Sequence, residues 1–289
     1  MRNRLNSPGS LARAGSRRTM LPAGGRPGLG RATLRFHPSV SVVIRAKNEA
    51  KYIGETLEAI FDPQATLRPR QVVVVDSGST DGTQAIVKAF PARLLQITPA
   101  EFTYGYALNL GVASISADDA EIVATLSAHS LPSSPDWLEC LIGPFSRPRV
   151  VGVYGRQLPR PNATVLELLG MRLTGVLSDT PRLLDRKPLF SNANGAFRRS
   201  LWLEHPFDEQ VGGAEDIAWV RTMQELGYLI AYQPTAAVYH SHGEPIWRHL
   251  RRASRDIPTV VGNFLHLGSG GRVAPKPAQS EPVTRPAPD

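Results

Sequence analysis

The sequence predicts an α/β protein: a mostly parallel sheet with helices on both faces. Three observations carry this. Strand-length apolar runs alternate with helix-period segments from residue 39 to residue 154. The strand runs are continuously apolar rather than apolar at every second position, which is what a strand covered on both faces needs. Polar, chemistry-bearing residues gather just past the carboxyl ends of those runs, where open α/β sheets bind ligands.

In order, Ser39–Arg45 reads as a buried strand, and Glu49–Phe61 as a helix because Tyr52, Ile53, Leu57, Ile60 and Phe61 recur at spacings of three and four. Val72–Val75 is a second strand, ended by Asp76-Ser77-Gly78-Ser79. Thr80–Phe90 is a second helix, with Ser79 or Thr80 able to cap it. Arg93–Ile97 is a third strand, Tyr104–Ser116 a third helix, Glu121–Leu126 a fourth strand, Pro135–Phe145 a fourth helix and Val150–Tyr154 a fifth strand. Cys140, the single cysteine, is expected to be a core thiol. A helix over Ala214–Leu226 opens with Glu215 and Asp216, acids that the helix dipole favours in a first turn.

The chain carries a formal +8, and its first 36 residues hold eight Arg and no acid. The remainder is neutral, so the charge belongs to an arm rather than a folded basic face, which argues against nucleic-acid binding. One cysteine excludes an internal disulfide and a multi-Cys zinc site. No run of 18 apolar residues is present, and no secretory signal is visible. Residues 1–37 read as a disordered Arg-rich arm: an overlong start, a targeting segment or a lipid-binding arm. Residues 38–267 form the working domain, read as two halves, 38–130 and 131–267. Residues 268–289, Gly/Ser-rich and then Pro-rich, form a solvated tail.

The candidate site follows from the strand ends. After the first strand come Arg45, Lys47, Asn48 and Glu49; Asn48 suits a helix N-cap, but Arg45 is an odd end for a buried strand. Asp76 and Ser77 follow the second strand and Ser127-Ala128-His129 the fourth. His240 and His242 follow a late short strand, as surface or core residues or as metal ligands. No Gly-x-Gly-x-x-Gly, P-loop or Gly-x-Ser-x-Gly pattern occurs, which disfavours dinucleotide dehydrogenases, P-loop NTPases and α/β-hydrolases.

Val-Ser-Val-Val-Ile-Arg-Ala-Lys-Asn-Glu (40–49), Val-Val-Val-Asp-Ser-Gly-Ser-Thr-Asp-Gly-Thr (73–83), Gly105…Asn109-Leu110-Gly111, residues 127–129 and the Glu215-Asp216 helix stand in an order that resembles glycosyltransferase family 2, inverting nucleotide-sugar transferases of GT-A fold. Phe190–Arg199, with Asn194 and Arg198, His205–Glu209 and Tyr239-His240-Ser241-His242 resemble its rhamnosyltransferase-like branch. The resemblance implies a nucleotide-binding half at 38–130, an acceptor and catalytic half at 131–267, and Asp216 as catalytic base, with Glu215 beside it. It places Arg45, Lys47, Asn48, Glu49, Asp76, Ser77, Asn109, Ser127, Asn194 and Arg198 on the substrates. It also implies a nucleoside-diphosphate sugar donor, with rhamnose or another deoxysugar first, and a saccharide or lipid-linked acceptor of the cell envelope. A cytoplasmic setting follows, with peripheral contact at the inner leaflet through the arm and the arginines of 246–255, unless those arginines form a solvated face or bind phosphate. There are two departures. Ser77 stands where the family often has a second Asp. Ser127-Ala128-His129 stands where the family has the Asp-x-Asp that holds a divalent cation. The expectation is an Mn²⁺ or Mg²⁺ site on His129 and His242; the alternative is neutralisation by Arg198 and Arg248–Arg252. A rival reading is a nucleotide-sugar-binding protein altered at its metal site.

Overall fold

The computed structural model describes residues 38–161 and 163–240, which belong to one compact unit. The N-terminal arm, His242, the basic segment at 246–255 and the Pro-rich tail lie outside the described residues.

The strands are β1 (Val40–Ala46), β2 (Val72–Asp76), β3 (Arg93–Gln96), β4 (Ile122–Ser127), β5 (Leu131–Pro132), β6 (Val150–Leu158), β7 (Arg182–Leu184), β8 (Asn194–Arg198) and β9 (Leu229–Tyr239). The helices are α1 (Ile53–Ile60), α2 (Thr83–Val87), α3 (Tyr104–Ala113), α4 (Trp137–Ile142), α5 (Val165–Leu173), α6 (Arg199–Glu204) and α7 (Glu215–Glu225). They build one sheet in the order β3-β2-β1-β4-β8-β6-β9-β5, with β7 beside β9. The first four strands are parallel. β8 runs antiparallel between β4 and β6, and β6 and β9 are again parallel. The sheet continues across the 130/131 boundary drawn from sequence.

The apolar runs have the cause expected of them, a sheet covered twice. On one face Val40, Val42, Ile44, Val72 and Val74 pack with Ile53, Leu57 and Ile60 of α1 and Trp137, Leu138 and Leu141 of α4. On the other, Val43, Val73 and Val75 pack with Leu108 and Val112 of α3 and Trp219, Val220 and Met223 of α7. Successive side chains point to opposite faces, so each run feeds both cores. Gly111 sets how close α3 comes: a Cβ there would lie 2.5 Å from Val43 Cγ1.

Three local expectations are corrected. Asn48 is not the N-cap of α1. Its φ is +55°, and α1 begins only at Ile53, after a turn. Thr80–Phe90 shortens to α2 at Thr83–Val87, whose N-cap is Gly82, because Ser79 and Thr80 are engaged with Asn48 instead. Cys140 is only half-buried, at the rim of the core, where its thiol donates to Asp136.

Candidate active site

The loops past β1 and β2 are fastened together. Asn48 N–H donates to Ser79 Oγ at 2.7 Å and Thr80 N–H to Asn48 Oδ1 at 2.9 Å. Glu49 N–H donates to Thr83 Oγ1 at 2.7 Å. The left-handed backbone at Asn48, a conformation Asn tolerates better than most residues, turns its amide toward the neighbouring loop. Lys47 is exposed beside it. Asp76 is fully buried. Its carboxylate accepts from Gly78 N–H, Ser79 N–H and hydroxyl, and Gln84 Nε2. Those acceptor positions hold the βα turn, so its assignment as a nucleoside contact is corrected to a structural one. Ser77 is buried, its N–H and hydroxyl donating to Ala46 O.

Arg45, odd at the end of a buried strand, has a partner from far along the chain. Its Nη1 lies 3.0 Å from Glu215 Oε1, and its guanidinium covers the Tyr104 ring at 4.9 Å. This ion pair sets the head of α7 over the carboxyl end of β1. Asn192, buried at 2% exposure, joins the two acids: its Nδ2 donates to Glu215 Oε1 at 3.2 Å and its backbone N–H to Asp216 Oδ2 at 3.3 Å. Its own Oδ1 accepts from Thr125 of β4 at 3.2 Å. Glu215 is buried, and its Oε2 has no hydrogen-bond partner among the described residues. Asp216 is partly open. Desolvation by the surrounding protein, and then the charge of Glu215, push its carboxyl up to about 7, while Arg45 pulls weakly the other way. A carboxylate near neutrality is poised for general-base work.

Ile217, the residue after Asp216, borders a cavity of about 370 Å³ together with Tyr154, Gln157, Met171, Phe190 and His240. Its walls come from β6, α5, the 189–191 loop, α7 and the end of β9. Gly195 makes room for Phe190: a Cβ there would lie 2.8 Å from the ring and 2.7 Å from Ser191 O. The Tyr154 hydroxyl is buried without a hydrogen-bond partner among the described residues.

Ser127 ends β4, and two residues on His129 Nδ1 meets Glu49 Oε1 at 2.8 Å. Its Nε2 lies 3.1 Å from His240 Nε2, the rings stacked at 4.9 Å between centroids. Among the described residues the imidazole beside His129 is that of His240; His242 lies outside them. No group of three His, Cys, Asp or Glu side chains among the described residues is placed to hold a metal. The two converging nitrogens, one ring oriented by a carboxylate as metal-bound imidazoles commonly are, fit a cation that accepts imidazole, such as Mn²⁺. They are a poor match for Mg²⁺, which takes oxygen ligands.

Three further sequence-based assignments are corrected. Asn109 uses both ends of its amide on the protein: Nδ2 donates to Phe207 O and Glu209, and Oδ1 accepts from Trp202 Nε1 and Phe207 N–H. It pins the 205–209 loop to α3. Asn194 is fully buried, accepting from Trp137 Nε1 at 2.9 Å and donating to Arg156 O and Ala236 O; it ties β8, β6, β9 and α4 together. Arg198 is opposite Ile122, at the amino end of β4, and donates to Val150 O and Phe145 O. Because β8 is antiparallel, Arg198 lies at the far edge of the sheet from the site and cannot neutralise a diphosphate there.

The family model described as Glycosyl transferase family 2 matches residues 41–202. The chain belongs to glycosyltransferase family 2. This glycosyltransferase is 31% identical over 219 residues to the O-antigen chain rhamnosyltransferase WbaN of Salmonella anatum, covering 71% of this chain and 67% of that protein. It is 29% identical over 212 residues to RfbN of Salmonella typhimurium, named likewise an O-antigen chain rhamnosyltransferase, covering 70% and 66%. The match therefore spans about two thirds of either relative's length. Among solved structures, the mannosyltransferase PcManGT of Pyrobaculum calidifontis, in complex with GDP-Man and Mn²⁺, superposes with a TM-score of 0.62 at 25% identity, over 82% of this chain and 67% of that one. Glucosyl-3-phosphoglycerate synthase of Mycobacterium tuberculosis superposes with a TM-score of 0.57 at 22% identity, over 78% and 79%, and shares the fold. Among the described residues no helix of this family 2 glycosyltransferase is long and apolar enough to cross a membrane.

Sequence reasoning on this glycosyltransferase left Asn192 and the α5 wall of the cavity without a role. Asn192 had a signal, since it sits in the motif at 190–199. The α5 wall had little, because its apolar residues do not show which face is covered.

Proposed function

We propose that the protein moves a sugar, with a deoxysugar such as rhamnose the expected one, from a nucleoside diphosphate to a hydroxyl of a cell-envelope or lipid-linked saccharide, inverting the anomeric centre. One observation carries the reading: Asp216, held by Asn192 and pushed up to about 7, precedes Ile217 of the cavity wall at the head of a helix tied by Arg45 to the carboxyl end of β1. The Salmonella rhamnosyltransferases support the choice of sugar.

The donor diphosphate lies beyond β1 and β4, near Lys47, Ser127 and His129. The acceptor enters the cavity walled by β6 and α5. Asp216 accepts the acceptor hydroxyl's proton as its oxygen attacks the anomeric carbon from the face opposite the diphosphate. One displacement suffices, so no nucleophilic side chain is needed. Glu215 keeps Asp216 basic, and Arg45 makes a charged Glu215 tolerable at that depth. His129 and His240 are the residues that would hold a divalent cation, with Glu49 orienting His129; such a cation would neutralise charge on the departing diphosphate. A non-catalytic nucleotide-sugar-binding protein is the second reading, favoured by Ser127-Ala128-His129 in place of carboxylates. Nucleoside-diphosphate release from a panel of nucleotide sugars decides between them. Asp216→Asn is expected to lower release in the presence of acceptor by ~10²–10⁴. Release at the parent rate removes Asp216 as the base, and no release from any donor favours the binding protein.

A further inference from the structure

We propose that the outer face of α5, with the basic excursion that carries it, is a docking surface for an anionic lipid bilayer. Val165, Leu169 and Leu173 are 83%, 53% and 80% exposed. Their four-residue spacing puts them on one side of the helix. The opposite side supplies Glu167, Met171 and Thr174 to the wall of the cavity that Ile217 borders. Glu167, the only acid of α5, is engaged with Thr164 in a capping box, so the outer face carries no acid. It carries Arg172, which is exposed. Leu183, on β7 in the same excursion, is 46% exposed, and Arg186 and Lys187 follow it on the surface.

Charge selects the occupant. Residues 156–187 hold six Arg or Lys against three acids, a net +3; Arg172, Arg186 and Lys187 are exposed beside Asp179 and Asp185, while Arg160 is paired with Glu55 and Arg182 lies over Tyr232. Residues 38–155 and 188–240 together hold twelve against eighteen, a net −6. The exposed apolar row thus carries Arg172 and no acid of its own helix, in an excursion more basic than the rest of the described residues. A second copy meeting this face across a twofold axis would set like charges against each other. An anionic headgroup layer complements it, and a short helix can lie in that layer with its apolar side chains below the headgroups. The same helix would then touch the membrane outside and the cavity inside, so that a lipid-borne saccharide arrives beside Asp216.

The proposal deepens the lipid-linked acceptor reading, but its test needs neither donor nor acceptor. The full chain is sedimented with phosphatidylcholine vesicles, with and without phosphatidylglycerol. Binding is expected only with phosphatidylglycerol. The combined variant Val165→Ser/Leu169→Ser/Leu173→Ser is expected to weaken it on the order of tenfold or more, with an unchanged thermal midpoint. Arg172→Glu/Arg186→Glu/Lys187→Glu is expected to weaken it comparably and to flatten its salt dependence. Parent-like binding by both variants overturns the proposal, as does absence of binding by the parent. A dimer seen by light scattering that the serine variant dissociates also overturns it, in favour of a second copy. Nucleoside-diphosphate release without vesicles reports the transferase reading separately, so either can fail alone.

Discussion

Replacing Asp216 by Asn should change how stability depends on pH, and the size follows from the site. The carboxyl's ordinary value is 3.8, and in the folded protein it is pushed up to about 7 by burial and by Glu215. Between those values the folded state holds a proton that the unfolded chain has released, so stability falls as pH rises. The stability linked to this group is fully present below about 4 and lost as pH passes through about 7. Roughly 3 pH units at about 1.4 kcal/mol each set a ceiling of ~4 kcal/mol. The neutral amide keeps the shape and escapes the loss. Asp216→Asn is therefore expected to gain stability relative to the parent between pH 5 and pH 8, on the order of 2–4 kcal/mol. That corresponds to several degrees in thermal midpoint, at about 2–4 °C per kcal/mol for a body of this size. Urea and thermal unfolding of both proteins across that range measure it. Any constant offset between the two reflects hydrogen bonding to Asn192 and carries no weight; parallel curves from pH 5 to pH 8 would refute an elevated Asp216.

Three other outcomes are expected. Arg45→Met strips the partner from buried Glu215, costing about 3–5 kcal/mol in urea unfolding, and moves the acid limb of the pH–rate profile to higher pH because Arg45 holds Asp216 down; an unmoved limb contradicts the coupling. Asn194→Ala leaves Trp137 Nε1–H and two buried carbonyls without their partner, a loss of about 3–5 kcal/mol from penalties of ~1–3 each, read in chemical denaturation; a loss under 1 kcal/mol denies it the role of cross-brace. His129→Ala should abolish any Mn²⁺ stimulation of nucleoside-diphosphate release, and His240→Ala should weaken it; a Mn²⁺ titration like the parent's in His129→Ala moves the cation elsewhere.

Much of the architecture was legible because burial on both faces writes itself into a strand as an unbroken apolar run. The runs at 40–46, 72–76 and 122–127 could be placed to within a residue or two. The site was legible where chemistry conflicted with packing: a guanidinium closing a buried strand at Arg45 and paired acids at 215 and 216 both demanded a partner, and each is part of the other's. The amides were not. Asn109 and Asn194 stand in motifs and look available for substrate, but a polar side chain deep in a protein must be satisfied, and sequence does not show whether a ligand or the chain's own groups will do it.

Alone, the sequence determined an α/β sheet, the three strand ends at which chemistry collects, and the helix that opens with the two acids. These depend on local periodicity and on residue type at strand termini. Only the tertiary structure decided that β8 runs antiparallel, carrying Arg198 to the wrong edge, that His240 faces His129, and that Asn192 joins Glu215 to Asp216. Each is a meeting of segments more than twenty residues apart, fixed by how strands pair and helices pack, and a one-dimensional pattern holds no record of it.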